Sequence, residues 1–520
     1  MSSADLSEAS GDLRASADVC VVGAGPIGLT VVRRLLERGR SVVLLERGAD
    51  VAEGQTGSGE IAFDGRPYGG AAAGRAFGFG GTSALWGGQL LPVMERELGG
   101  DSETGAPSWP IGLSDISDHY ATLDRWLKVA PGPFELERMR PQPLSRLDWT
   151  GFEPRYSKWL GFGRRHIGTA WRRHLGSAEK LQIWLNARVV GFERDGRRMH
   201  AVTAVGRDAR LTVSARYVVI AAGAIESTRL ALSLFESPDL RPFRPAALGC
   251  YLHDHLSLRI ARLVPLARGG VQALFAPRFL DGTMRTLRIE LAADVARAAR
   301  VPPAYAHIVA DPGPRSGFAV ARDLLRAVQG GRTSDAWRAI GGIPAALPEL
   351  LELTYWRTVR RRLVFPPGAP LFLHIDYQQI PDIRNRIYLG NELDPHGCRR
   401  ARVDWDIRDD GPRYVAAFQE RIGRFWQRNG LHRTLRLEYL PGRSDGTLDP
   451  SNSYDIYHPA GTTRMAPDPE SGCVDPDLRL FGTENVFIAG TSVLPAMGAA
   501  NPTYTAMALG LRLADHLGSP

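Results

Sequence analysis

The chain has 520 residues, a formal net charge of +8, and 44% hydrophobic against 23% charged residues. That balance is ordinary for a soluble globular protein, and the length admits a well-buried core and two interleaved domains. Of the 64 basic residues only Lys128, Lys158 and Lys180 are lysines, so arginine is spread over the whole chain. A nucleic-acid footprint would cluster on one element, which argues against that class of partner and leaves an anionic substrate or an acidic surface open.

The four cysteines, Cys20, Cys250, Cys398 and Cys473, are far apart and show neither a CxxC pair nor metal-ligand spacing. Cys20 lies in an apolar run, where a buried inert thiol is the default. The pattern suits a reducing compartment. The first sixteen residues are polar and lack the basic start and apolar run of a signal peptide. No segment approaches the roughly 18 apolar residues of a membrane span. A cytoplasmic location is expected.

In chain order, residues 1–16 read as a flexible tail. Residues 18–22 form an apolar strand, GAGPIG follows, LTVVRRLLERG has helical periodicity, and SVVLLERG is a second strand. This is a βαβ unit. Residues 75–92 are glycine-rich and too long for a simple turn. Residues 181–222 read as several short strands, with a helix beginning near Ser227. Residues 315–362 read as helices broken by Gly and Pro, ending with Arg357, Arg360, Arg361 and Arg362. Residues 371–407 alternate as an antiparallel sheet does. Asn501-Pro502 opens a last helix.

The expected fold is α/β. A discontinuous Rossmann-like domain comprises 17–110, 180–255 and 450–520. An α+β substrate domain on an antiparallel sheet comprises 111–179 and 256–449, with 315–362 as a lid or docking segment.

Gly23, Gly25 and Gly28 form G-x-G-x-x-G between a strand and a helix. The first allows the tight turn, the second lets backbone approach a pyrophosphate, and the third lets helix and strand pack closely. Glu46 ends the next strand, where an acid binds ribose hydroxyls. That residue favours FAD or NAD over NADP, although Arg47 stands beside it. Only one such fingerprint occurs, and the flexible Gly78–Gly88 stretch can wrap a large planar cofactor, so FAD is favoured.

At the other end, Asn501 and Pro502 place a helix N-terminus, and its partial positive charge, where it can stabilise negative charge on a reduced flavin. Asn501 is either a cap alone or a cap whose side chain also reaches substrate. His458 is suited to take an alcohol proton because its neutral form is well populated near neutral pH. A lone histidine packed in a loop is the alternative.

These motifs resemble, over nearly the whole chain, the glucose-methanol-choline (GMC) oxidoreductase family. The match rests on V-G-A-G-P-I-G-L-T at 22–30, G-G-T-S-A-L-W-G-G at 80–88 and A-A-G-A-I-E-S-T-R-L at 221–230. It continues with L-x-D-H at 252–255, H-P-A-G-T-T-R-M at 458–465 and N-P-T-Y-T-A-M-A-L at 501–509. The resemblance implies that His458 takes the hydroxyl proton, that Asn501 binds the same oxygen, and that hydride passes to flavin N5. It implies a cofactor shell of Gly80, Gly81, Thr82, Ser83, Trp86, Gly87 and Gly88, joined by Val189, Ala222 and Gly223. Gly490, Thr491, Asn501, Pro502 and Thr503 complete that shell. It makes Asp254-His255 a structural motif and not, with His253, a metal site. Leu85 stands where some relatives link FAD covalently through histidine, so non-covalent FAD is expected. Gly490 stands where many relatives have aspartate.

The motif forms look most like bacterial pyranose oxidase-like and glycoside-oxidising members. The expected substrate is a sugar, glycoside or sugar-derived metabolite oxidised at a secondary hydroxyl, with oxygen or another acceptor. His374, Tyr377, Gln378 and Gln379 could line its pocket. A sterol or long-chain alcohol, or a redox-silent lyase reaction on the same fold, are the alternatives.

Overall fold

A computed structural model describes residues 2–519, apart from 52, 55–60, 101–104, 140–142, 267–269, 314–315, 330–332, 360–362, 367, 409 and 441–452. Arg360, Arg361 and Arg362 lie outside the described residues.

The first sheet is built on Val19–Val22, Val42–Leu45 and Val218–Ile220, apolar runs buried on both faces as parallel strands require. Its eight strands run in the order Ser2–Asp5, Leu181–Leu185, Val42–Leu45, Ser10–Val22, Asp208–Ile220, Arg198–Val205 and Arg188–Asp195. Val486–Ile488 pairs with the end of Asp208–Ile220. The helix Pro26–Glu37 begins at Gly25 with proline at its first position and buries Leu29, Val32 and Leu35. It packs on the last helix, Pro502–Gly518, where Gly510 lets Ile27 and Val31 approach. Arg34 and Asp515 form an ion pair across this contact at 2.7 Å.

Residues 2–16 correct the reading of 1–16 as a tail, because they form strands of the first sheet. Ser2–Asp5 pairs in parallel with Leu181–Leu185, and Ser10–Val22 pairs with Asp208–Ile220 from its first residue. The strand's outer half keeps exposed positions, so it carries no apolar signal.

Among the described residues the second sheet has nine strands and a main path that is antiparallel throughout. The order is Leu435–Tyr439, His255–Pro265, Leu371–Gln378, Ala304–Ala310, Thr283–Glu290, Arg155–Trp159 and Gln89–Leu90. Strand alternation divides its two faces. Leu256, Leu258, Leu373, Ile375, Tyr377, Ala306 and Ile289 point to one side, where they bury Phe418, Ile422, Phe425 and Trp426 of the helix Gly411–Arg428. His255, Ser257, Asp376, Gln378, Tyr305, Arg288 and Glu290 occupy the other face.

The alternating region 371–407 therefore serves two sheets. Arg386–Leu393 and Arg399–Trp405 pair with each other and then, in parallel, with Ile61–Gly65. The helix expected near Ser227 begins earlier, at Ala224. The segment 315–362 forms the helices Gly317–Gln329, Thr333–Gly341 and Ile343–Thr358. Leu347, Leu351 and Tyr355 stand exposed on one face of the last of these. Among the described residues, no helix is long and apolar enough to cross a membrane.

Candidate active site

A cavity of about 500 Å³ runs from the first sheet to His458. Three helix N-termini line it, at Pro26, Ala224 and Pro502. Each presents unpaired N–H groups and the positive end of a helix dipole. An anion bound along this cavity meets favourable potential at three points.

The three glycines of the turn do three different jobs. Gly23 has φ +106°, and a Cβ there would lie 2.5 Å from the Ala221 carbonyl oxygen. A Cβ on Gly28 would overlap the Gly23 carbonyl oxygen. Both glycines are needed for packing. Gly25 has φ −72° and ψ 178°, open to any residue, and a Cβ there would meet nothing within 4 Å. It borders the cavity, so the room beside it is room for a ligand.

Glu46 is buried, and its carboxylate accepts N–H groups from Ala24 at 2.7 Å, Gly48 at 2.9 Å and Gly78 at 3.0 Å. Burial raises its pKa, opposed by those three bonds. It thus welds the glycine turn to the 78–88 stretch while still bordering the cavity.

Of the other residues expected around the cofactor, Arg47, Gly81, Thr82, Trp86, Gly87, Val189, Ala222, Gly223, Thr491, Pro502 and Thr503 line the cavity. Gly28, Gly80, Ser83, Gly88, Gly490 and Asn501 are not in its lining. Ser83 Oγ donates to the Gly80 carbonyl at 2.6 Å and accepts from Ile167 N at 3.0 Å, shaping the loop from behind. Gly490 is extended at φ 175° and needs no glycine conformation. Leu85 borders the cavity and is 45% exposed. The cavity's size, the open space at Gly25 and the helix N-termini fit a dinucleotide such as FAD.

At the far end the polar face of the second sheet grips residues 497–501 bond by bond. Gln378 Oε1 accepts from Met497 N at 2.7 Å and Gly498 N at 2.6 Å. Glu97 Oε1 accepts from Ala499 N at 2.6 Å. Arg288 donates to the Ala499 carbonyl at 2.8 Å and to Asn501 Oδ1 at 3.0 Å. Gly498 has φ +64°, and a Cβ there would overlap the Glu97 carboxylate.

The Asn501 side chain makes no capping bond to its helix. Its oxygen is held by Arg288, and its amide nitrogen takes no partner among the described residues. Of the four residues expected in the pocket wall, His374 and Gln378 share the polar face. Tyr377 points the other way, against Tyr414, and Gln379 is tied to Trp405 and Asp406.

His458 is held through its backbone and its ring. Its N–H donates to both oxygens of Asp254, at 2.9 and 2.8 Å. Asp254 also accepts the Tyr68 hydroxyl and the His255 N–H. Burial, reinforced by Asp455, pushes Asp254 well above the usual carboxylate range against these bonds. The His458 ring meets the His255 ring, Nδ1 to Nδ1, at 3.1 Å. Burial holds His458 well below the usual histidine value. His253, considered as a possible metal ligand, turns away, with Nδ1 on the Tyr251 carbonyl at 2.9 Å. Sequence reading missed Arg288, Glu97 and the contact of His255 with His458. The D-H pair in the L-x-D-H motif was the only signal for any of them.

Comparisons with known proteins fit this geometry. Residues 381–510 match the GMC oxidoreductase C-terminal model, and residues 18–70 match the model of FAD dependent oxidoreductases. The 6'''-hydroxyparomomycin C oxidase of Streptomyces lividus is 26% identical over 96% of this chain and 92% of that protein. The fructose dehydrogenase large subunit of Gluconobacter japonicus is 26% identical over 65% of this chain and 54% of that one. The crystal structure of pyridoxine 4-oxidase from Mesorbium loti superposes with a TM-score of 0.57 at 18% identity, covering 96% of this chain and 98% of that one. The chain carries the GMC oxidoreductase family domain over residues 381–510. It is an FAD-dependent enzyme that oxidises the CH–OH group of an alcohol.

Proposed function

We propose that the substrate is a sugar, a glycoside or a sugar-derived metabolite, and that His458 and Asn501 carry the reaction. The observation that supports this most is the free pair of atoms left by the two networks. His458 keeps Nε2 without a partner, and Asn501 keeps its amide nitrogen, among the described residues. An alcohol oxygen placed between them gives its proton to Nε2 and accepts a hydrogen bond from the amide. The donor stabilises negative charge on that oxygen as the proton leaves. FAD, when bound, supplies the acceptor for the hydrogen on carbon. Gly23, Gly25, Glu46 and the helix N-termini at Pro26 and Ala224 would hold its dinucleotide part, non-covalently.

The carbohydrate reading is supported by the polar sheet face and by the names of the two relatives above. Next to the cavity-lining Gly87, Trp159 Nε1 donates to Thr286 Oγ1 at 2.8 Å, and Gln89 donates to Ser157 at 2.6 Å. A sterol would need an apolar wall in that place. The proposed domains are 17–110, 180–255 and 450–520 for FAD and 111–179 and 256–449 for substrate, with residues 2–16 joined to the first through their strands.

The test is an anaerobic absorbance spectrum with sugars, glycosides, sterols and simple alcohols added in turn. Bleaching by a sugar or glycoside is expected, and admitting air then shows whether oxygen is the acceptor. Bleaching only by sterols or long-chain alcohols refutes the substrate class. A bound flavin bleached by no member of the panel favours the redox-silent reaction.

A further inference from the structure

A base must present a lone pair, and a neutral histidine has only one. Which nitrogen carries it is decided by what the other nitrogen touches. His255 Nε2 lies 2.8 Å from the Gly498 carbonyl oxygen. A carbonyl oxygen can only accept, so the His255 proton sits on Nε2. Burial lowers the His255 pKa to about 4, so the ring is neutral and its Nδ1 is an acceptor. His458 Nδ1, at 3.1 Å, must then be the donor in that contact. With its proton on Nδ1, a neutral His458 has its lone pair on Nε2.

We propose that His255 is a positioning residue that selects the tautomer of His458, through the chain Gly498 C=O, His255 and His458 Nδ1–H. This rests on the reading of His458 as the base. His255 does not touch substrate in this scheme. It reverses the preference of a free histidine side chain, which carries its proton on Nε2. It acts again after proton transfer. The His458 imidazolium keeps its Nδ1–H on His255, and a charge-assisted bond is stronger than a neutral one. The interaction therefore strengthens as the proton arrives, which favours the transfer. The Gly498 carbonyl that anchors the chain belongs to the segment leading into Asn501.

The test is ¹⁵N NMR of histidine-labelled, FAD-saturated enzyme at neutral pH, with the His458 signals assigned by their loss in His458→Gln. Wild type is expected to show a protonated Nδ1 and a bare Nε2 at His458. In His255→Leu the proton should move to Nε2, and the rate of anaerobic flavin reduction by substrate should fall at least about tenfold with unchanged substrate affinity. In His255→Gln, whose amide can donate to Gly498 and accept from His458, tautomer and rate should both recover. A protonated Nε2 in the wild-type spectrum overturns the proposal, as does an unchanged tautomer in His255→Leu. If His255→Leu fails to fold, the wild-type and His255→Gln spectra still decide. A tautomer that moves while flavin reduction does not would uphold the role of His255 and overturn that of His458.

Discussion

Replacing Gly25 by valine separates cofactor binding from folding. Gly25 sits at φ −72° and ψ 178°, a conformation valine adopts freely, and nothing lies within 4 Å of a Cβ there. The apoprotein should fold as well as wild type, or gain about 0.4–1 kcal/mol because the unfolded chain loses freedom. The side chain would instead stand in the space proposed for the pyrophosphate. FAD affinity should fall by at least about a hundredfold, or ~2.7 kcal/mol. The melting temperature measured with and without added FAD, together with quenching of flavin fluorescence on titration, reads both effects. Gly28→Ala is the contrasting control, because its Cβ would overlap the Gly23 carbonyl oxygen, and it should lower the apoprotein's own melting temperature. A Gly25→Val protein that binds FAD within about tenfold of wild type would refute the assignment of this turn to the pyrophosphate.

Further outcomes follow from the same contacts. His458→Ala should keep bound flavin and lose roughly a hundred- to ten-thousandfold in turnover, seen by stopped-flow flavin reduction. Arg288→Met removes the donor to Asn501 Oδ1 and Ala499 O, so the amide is free to flip; flavin reduction should drop by about tenfold or more while flavin content stays near wild type. Acid precipitation should release the yellow colour into the supernatant, since leucine occupies position 85. His253, His255 and His374 are all lowered to about 4, chiefly by burial. An unfolded histidine titrates near ~6.5, so the unfolded chain takes up protons the folded one refuses. Stability should therefore be full above ~6.5 and fall as pH drops toward 4, by roughly 3 kcal/mol at most per histidine, checked by urea unfolding across that range.

The nucleotide end was legible because its signals are local. A strand, three glycines, a proline-led helix and an acid all fall within 30 residues, and each spacing has a steric meaning. The last helix was legible for the same reason. The catalytic end was only half legible, because its contacts span the chain. His255 meets His458 across 203 positions, and Arg288 reaches Asn501 across 213. No periodicity announces such a pair. Alternation showed that 371–378 is a strand but not which face was polar. That is why Tyr377 was grouped with His374 and Gln378, although it packs into the core. The first strands escaped notice because edge positions half open to solvent carry polar residues.

Those opening residues bear on how the protein can be handled. Ser2–Asp5 is the outermost strand of the first sheet and covers the edge of Leu181–Leu185. Cutting back to residue 10 would leave the Leu181–Leu185 strand with a bare row of N–H and C=O groups. Such an edge is a template for joining another chain.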